Sequence, residues 1–157
     1  MGLDITAYKN LREVPNAERD EEGNPTDCDL FYGGKSMQWS EENFHGRGEG
    51  VDPNKIYSYD DSFEFYAGSY FGYNHWRKLL SSFRKGSSFS ELIDFADNEG
   101  VIGSIVSKKL YNDFRQNEEY MEICALNLQD NGLWKSLYSK WMAAFEMAKD
   151  NGAVKFH

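Results

Sequence analysis

The first residues of the chain alternate between apolar and polar side chains. Single, more polar residues separate Leu3, Ile5 and Ala7, which is the period-two pattern of a strand with one buried face. The aromatic-rich segment 56–67 predicts one or two further short strands. The apolar segment 153–156 predicts a last strand, and in the simplest arrangement this strand pairs with the first one.

Helical spacing of apolar residues dominates the C-terminal two-thirds of the chain. One apolar helix face is predicted by residues three or four positions apart, namely Trp76, Leu79, Leu80 and Phe83. The same spacing predicts further helices over about 88–96, 102–114, 118–128 and 133–148.

The second of these five helices opens with Ser88-Phe89-Ser90-Glu91, a capping-box pattern that satisfies backbone donors at a helix start. Together the elements predict an α+β fold, in which about five helices pack with a small sheet that includes the N-terminal strand. A length of 157 residues fits a single domain over residues 1–157.

Two segments lack either periodicity. The first, at about residues 13–30, holds two prolines, one glycine and seven acidic residues: Glu13, Glu18, Asp20, Glu21, Glu22, Asp27 and Asp29. We interpret it as a solvated, variable acidic loop. The second, residues 33–54, has glycines at alternating positions 46, 48 and 50, and we interpret it as an irregular loop.

Composition narrows the class of protein further. Aromatic residues make up 16% of the chain, which argues against intrinsic disorder. The net charge of −9 argues against binding to a nucleic-acid backbone, because that mode requires a surplus of basic residues. No apolar run approaches the length of a membrane span, the start does not resemble a signal peptide, and the two cysteines, Cys28 and Cys124, form no CxxC motif. We expect a soluble cytoplasmic protein.

The segment 68–77 is the first candidate binding site, because a predicted strand, a glycine-containing turn and a helix start follow one another there. Helix starts offer free backbone N–H groups and a partial positive charge to an anion. The side chains that could donate to a ligand or stack on it are Ser69, Tyr70, Tyr73, Asn74, Trp76 and Arg77. The alternative is that the glycines relieve a tight turn and the aromatics belong to the core. The segment is not a P-loop, because no Lys-Ser/Thr follows Gly72.

The acidic turn at residues 94–100 is the second candidate. Asp94, Asp97 and Glu99 could bind a divalent cation or accept hydrogen bonds from ligand hydroxyl groups. An EF-hand is excluded, because Phe95 would occupy the first ligand position. The alternative is a helix–helix connection whose acids favour the next helix start. We predict no catalytic residue, resident metal or cofactor.

Several segments resemble a family of small, uncharacterised proteins encoded in bacteriophages and prophages. They are the opening Met1-Gly2-Leu3-Asp4-Ile5, the run 65–77, the turn Asp97-Asn98-Glu99-Gly100 and the closing Asp150-Asn151-Gly152-Ala153-Val154-Lys155-Phe156-His157. Family members carry Asp-Cys-Glu-Gly at the turn, so Asn98 argues against thiol chemistry in this chain. The resemblance implies a phage accessory protein in the cytoplasm of the host bacterium, and it supplies no mechanism.

Three functions remain. We favour a non-enzymatic binder of a small nucleotide-like or phosphorylated ligand, which would counter bacterial defence signalling, with Asp97 and Glu99 accepting ligand hydroxyls. The alternative is an acidic protein-binding inhibitor of a host protein. The third is a metal-dependent hydrolase built on the carboxylates of the 94–100 turn. The surplus of aromatic residues also allows a homo-oligomer.

Overall fold

The computed structural model describes residues 2–157, which form two antiparallel sheets and five helices. The strands in chain order are β1 (Gly2–Lys9), β2 (Arg12–Glu13), β3 (Phe31–Tyr32), β4 (Ile56–Ser58), β5 (Asp61–Ser69), β6 (Gly100–Gly103) and β7 (Ala153–Phe156). The helices are α1 (Gly34–Asn43), α2 (Tyr70–Phe83), α3 (Ser90–Ile93), α4 (Ser104–Ala125) and α5 (Leu133–Ala148). The predicted α+β fold is confirmed.

The larger sheet has the strand order β5-β1-β7-β6. In β1 the side chains of Leu3, Ile5 and Ala7 are fully buried, which confirms the strand predicted from their alternation. The predicted pairing of the first and last strands is also confirmed, because Ile5 lies opposite Phe156 in an antiparallel register. Within residues 2–157, strand β6 joins the sheet through β7 alone. The smaller sheet, β2-β4-β3, lies beside the acidic loop.

Helix α1 corrects the prediction that residues 33–54 are irregular. Only Gly34, Met37 and Ser40 of this helix are buried, so its sequence shows no apolar stripe. Its position is set by contacts with the sheet, where the Ser40 hydroxyl accepts a hydrogen bond from the backbone N–H of Val101 at 3.3 Å.

Helix α4 differs from the two helices predicted over 102–114 and 118–128. Residues 100–103 form strand β6, because they pair with β7, and one continuous helix then runs for 22 residues. The predicted break falls near Asn117, which is polar but buried. Its amide donates to the Asp113 carbonyl at 2.8 Å and accepts from the Lys85 N–H at 3.1 Å, so the helix continues.

Helix α3 is shorter than the predicted 88–96, and the predicted capping box is wrong. Phe89 precedes the helix in a left-handed conformation, with φ of 67°. Its N–H donates to the Asp113 carboxylate at 2.9 Å, and no side chain caps the helix start within residues 2–157. A partner 24 positions away therefore replaces the local cap.

The core lies between the larger sheet and helices α2, α4 and α5. Trp141 of α5 is fully buried and contacts Phe65 of β5, Tyr73 of α2 and Phe156 of β7. The helix predicted over about 133–148 is confirmed as α5, which buries seven of its residues. Within residues 2–157, no helix has both the length and the apolar character that a bilayer crossing requires.

Candidate functional site

The start of α2 uses Ser69 as its N-cap. The Ser69 hydroxyl accepts a hydrogen bond from the N–H of Gly72 at 3.0 Å, which satisfies one donor that a bound anion would otherwise occupy. Gly68 precedes it with φ of +120°, a conformation that L side chains rarely adopt. The ring of Tyr70 is partly exposed beside this turn.

Tyr73 and Trp76 are core residues. Both side chains are buried, and the two rings stack on one another and on Trp141. Both rings are thus part of the core packing, and their use in stacking on a ligand stays a prediction. The Tyr73 hydroxyl has no hydrogen-bond partner among residues 2–157, and burial raises the pKa of this phenol.

Arg77 holds helix α3 against helix α2. One guanidinium nitrogen donates to the carbonyls of Ile93 and Phe95 at 3.1 Å and 2.6 Å. The other donates to the side-chain oxygen of Asn74, and the guanidinium lies 4.7 Å from the centre of the Tyr73 ring. These bonds satisfy carbonyls at the end of a short helix, so Arg77 has a structural use that the sequence does not reveal.

Side-chain hydrogen bonds join the two predicted segments, and one of them is the bond from Arg77 to the Phe95 carbonyl. The Asn74 amide donates to the Asp97 carboxylate at 2.9 Å. Asp94 is exposed, and Glu99, which is partly exposed, has no hydrogen-bond partner among residues 2–157. Three of the eight predicted ligand residues, Asn74, Arg77 and Asp97, thus satisfy one another. The hydrolase hypothesis for this turn stays a prediction.

A second candidate site is a concave surface between the acidic loop and the start of α1. This cleft of about 480 Å³, which we call the α1 cleft, is lined by the backbone and side chains of 33–36 together with Glu22, Asp27, Tyr32 and Lys155. The volume lies within the range of small-molecule sites, about 300–1,000 Å³.

The first turn of α1 presents unpaired backbone donors at this cleft. The N–H groups of Lys35 and Ser36 have no hydrogen-bond acceptor among residues 2–157, whereas those of Gly34 and Met37 bond to Pro53 and Gly33. The turn contains no acidic residue, and no side chain within that range caps it. Such a helix start attracts negative charge.

Two lysines stand at the same cleft. Lys35 is exposed and forms no ion pair within residues 2–157. Lys155 reaches it from β7, is partly buried, and donates from Nζ to the Tyr32 carbonyl at 3.2 Å. Burial lowers the pKa of Lys155, because the charged form is poorly solvated there. A bound anion would stabilise that charge.

Carboxylates line the opposite wall of the α1 cleft. Glu22 and Asp27 belong to the acidic loop and are exposed. Asp27, Cys28 and Asp29 place one ligand atom each within 4.8 Å of one another, the one such cluster in the part of the chain that the structure describes. These groups could take a cation that accompanies a phosphate, or the hydroxyl groups of a ligand.

A sequence signal for the α1 cleft exists in Gly34-Lys35-Ser36. A strand, this triplet and a helix follow in order, as in the second half of the P-loop pattern G-x-x-x-x-G-K-[ST]. Asp29 stands where that pattern requires its first glycine, and β3 belongs to an antiparallel sheet. The complete P-loop is therefore absent.

The two glycines at the start of α1 are required by geometry. Gly34 has φ of +57°, and a Cβ there would lie 2.8 Å from the Tyr32 ring. A Cβ on Gly33 would lie 2.6 Å from the sulfur of Met37. The glycine pair thus allows the backbone of this turn to lie open at the floor of the cleft.

The chain matches no protein-family model, no curated protein and no solved structure.

Proposed function

We propose that the protein is a non-enzymatic binder of a small phosphorylated, nucleotide-like ligand, and that the phosphate occupies the α1 cleft. The observation that carries the proposal is the pair of unpaired N–H groups of Lys35 and Ser36 at the start of α1. They lie at a cleft of suitable size with Lys35 and Lys155 beside them. This replaces the 68–77 turn as the place where we expect the ligand.

The chemistry of the cleft fits a phosphate better than a simple carboxylate. Successive N–H groups at a helix start bond several oxygens of one anion, and two lysines supply positive charge from different elements. The Ser36 hydroxyl adds a further donor at the same turn. On the other wall, Glu22 and Asp27 suit the hydroxyl or amino groups of a nucleoside.

Calorimetry with inorganic pyrophosphate and with ADP tests the proposal. We expect binding to the wild-type protein and a loss of at least about tenfold in affinity for Lys35→Ala, because a hydrogen bond to a charged group is worth about 1.5–3 kcal/mol. The matched control is Lys140→Ala, which removes an exposed lysine from α5. Equal affinity of the Lys35→Ala and Lys140→Ala proteins would overturn the proposal.

The setting in which such a binder acts is proposed from the resemblance to phage-encoded proteins. We propose that it sequesters a nucleotide signal of a bacterial defence system in the host cytoplasm. Native mass spectrometry of protein isolated from bacteria with the defence active tests this. An added mass that is lost on denaturation and is absent from the Lys35→Ala protein supports it, and the bare mass of the chain alone contradicts it.

The second candidate function is inhibition of a host protein through the acidic loop. All seven acidic residues of the loop are exposed, so they form a surface that a basic protein could contact. Arg19 holds the loop in shape by donating to the carbonyls of Gly23 and Asn54 at 2.7 Å and 2.8 Å. The double variant Glu18→Gln, Glu21→Gln therefore tests whether the negative charge is needed for inhibition of a host protein. It keeps the loop in shape, whereas a deletion of residues 18–22 would not.

A further inference from the structure

Three of the most exposed large apolar side chains among residues 2–157 lie at one end of the α4–α5 hairpin. They are Leu126, Ile123 and Leu133, with exposed fractions of 82%, 63% and 61%. We call this set the hairpin-tip patch. Single exposed apolar residues are ordinary on a protein surface, whereas a group at one place marks an interaction site.

Two apolar grooves flank the tip of the hairpin. One, of about 570 Å³, lies between the end of α4 and the start of α5 and is lined by Ile123, Ala125 and Leu126. The other, of about 310 Å³, lies between α2 and α5 and is lined by Leu79, Leu128, Leu133 and Leu137. Asp130 borders both grooves, so together they form one continuous surface on either side of the 126–132 connection.

The border of the larger groove is acidic. Glu119, Glu122 and Asp130 line it, and Lys135 is the one basic residue of the lining. Lys135 is already paired with Glu122 at 3.1 Å, and Asp130 accepts hydrogen bonds from the N–H groups of Gly132 and Trp134. Glu119 has no ion-pair partner in the described range 2–157. The lining therefore carries a net charge of −2, from three acids and one base.

We propose that the hairpin-tip patch binds a basic amphipathic helix of another protein. Apolar residues at helical spacing would enter the two grooves, and flanking Lys or Arg residues would face Glu119 and Glu122. This is the helix-in-groove mode of recognition, in which apolar anchors give affinity and peripheral charges give orientation and rate. The chain's net charge of −9 steers the same kind of partner towards it.

The acidic border selects this occupant over two others. A second copy of the chain would bring a second set of Glu119, Glu122 and Asp130 to the same surface, and like charges brought together oppose association. An anionic membrane surface would be repelled for the same reason. The proposal is independent of the α1 cleft, which lies between the acidic loop and the start of α1 and shares no lining residue with either groove.

Two synthetic 14-residue peptides test the proposal by fluorescence anisotropy. They share leucines at helical spacing, and one carries lysine and the other glutamate at all remaining positions. We expect the lysine peptide to bind and the glutamate peptide to bind at least about tenfold more weakly. Leu126→Asp should lower the affinity of the protein for the lysine peptide by at least about tenfold, as expected for the loss of an anchor contact. Glu119→Lys with Glu122→Lys should reverse the preference between the peptides.

Ile105→Asp is the matched control. Ile105 is a 56% exposed apolar residue of the same helix, about 27 Å from Ile123 along the helix axis at 1.5 Å per residue. We expect this variant, and Lys35→Ala, to bind the lysine peptide as the wild type does. The proposal is overturned by equal binding of the two peptides, by binding of neither, or by a dimer in sedimentation velocity that Leu126→Asp abolishes.

Discussion

Trp76 and Trp134 exchange hydrogen bonds: the indole N–H of each donates to the backbone carbonyl of the other, at 3.2 Å and 3.3 Å. Their rings stack with centroids 5.9 Å apart. The pair joins α2 to α5 across 58 positions of sequence and satisfies two donors in the core. Both acceptors are backbone carbonyls, which any residue at position 76 or 134 would keep, so the stacked rings and not the two hydrogen bonds couple the two side chains.

We expect Trp76→Phe and Trp134→Phe each to lower the free energy of unfolding by about 1–3 kcal/mol, because each removes a donor and leaves space in the core. The double variant should lose less than the sum of the two losses, since the residues are in contact. Guanidinium unfolding measures this. Trp39→Phe, at a partly exposed position of α1, is the control and should change stability by less than about 0.5 kcal/mol.

Arg77 is expected to act on stability and not on ligand binding. Arg77→Lys keeps the charge but loses the planar fork that reaches the α3 carbonyls, so we expect a loss of about 1–3 kcal/mol in the free energy of unfolding. Its affinity for pyrophosphate should equal that of the wild type. Lys78→Ala, at the exposed neighbouring position, is the control. A stable Arg77→Lys protein with lost binding would return the ligand to the 68–77 turn.

Lys155, in contrast to Arg77, is expected to act on ligand binding and not to stabilise the fold. Burial lowers its pKa below the ordinary 10.5, so its charge destabilises the fold at neutral pH. We expect Lys155→Met to be at least as stable as the wild type and to bind pyrophosphate at least about tenfold more weakly. Just below pH 10.5, Lys155 binds more protons in the unfolded state than in the folded state. The contribution of Lys155 to the free energy of unfolding of the wild type therefore rises with pH in that range. Denaturation of both proteins across pH 7–10 measures that difference.

Tyr8 makes the protein sensitive to base. Burial, and the nearby Tyr59, raise its pKa from 10.0 to about 12. The unfolded phenol ionises first, so the contribution of Tyr8 is complete below pH 10 and is lost as pH rises towards about 12. We expect Tyr8→Phe to reduce the fall in unfolding free energy between pH 9 and pH 11.5, measured by urea denaturation. An identical fall in both proteins would assign the effect to other buried tyrosines.

The elements that the sequence predicts well are those whose pattern matches their own burial. Leu3, Ile5 and Ala7 alternate because one face of β1 meets the core, and the α5 stripe follows the same logic. Helix α1 could not be predicted in this way, because it buries few side chains and begins at a pair of glycines. Its N-terminal donors, which carry the proposed function, lie in a segment that composition alone describes as a loop.

The candidate site could be predicted only in part, because its residues act through distant partners. Asn74 and Asp97 do meet, 23 positions apart, but Trp76 is buried by Trp134 and Arg77 is engaged by α3. Periodicity reports which face of a helix is apolar and not which polar atoms are already bonded. The same limit explains the failed capping box, where Asp113 takes the Phe89 N–H.

The pairing of β1 with β7 also determines how the chain reaches this fold. Ile5 and Phe156 are 151 positions apart, so nearly the whole chain must be drawn into a closed loop before the bond between them compensates the lost chain entropy. Within residues 2–157, β6 pairs with β7 alone, and this pairing closes the shorter loop that contains α4 and α5. The α4–α5 hairpin needs only local contacts and can form on the microsecond scale of helical elements. We therefore expect the pairing of β1 with β7 to be the slowest step of refolding, and the α4–α5 hairpin to gain structure before that pairing forms.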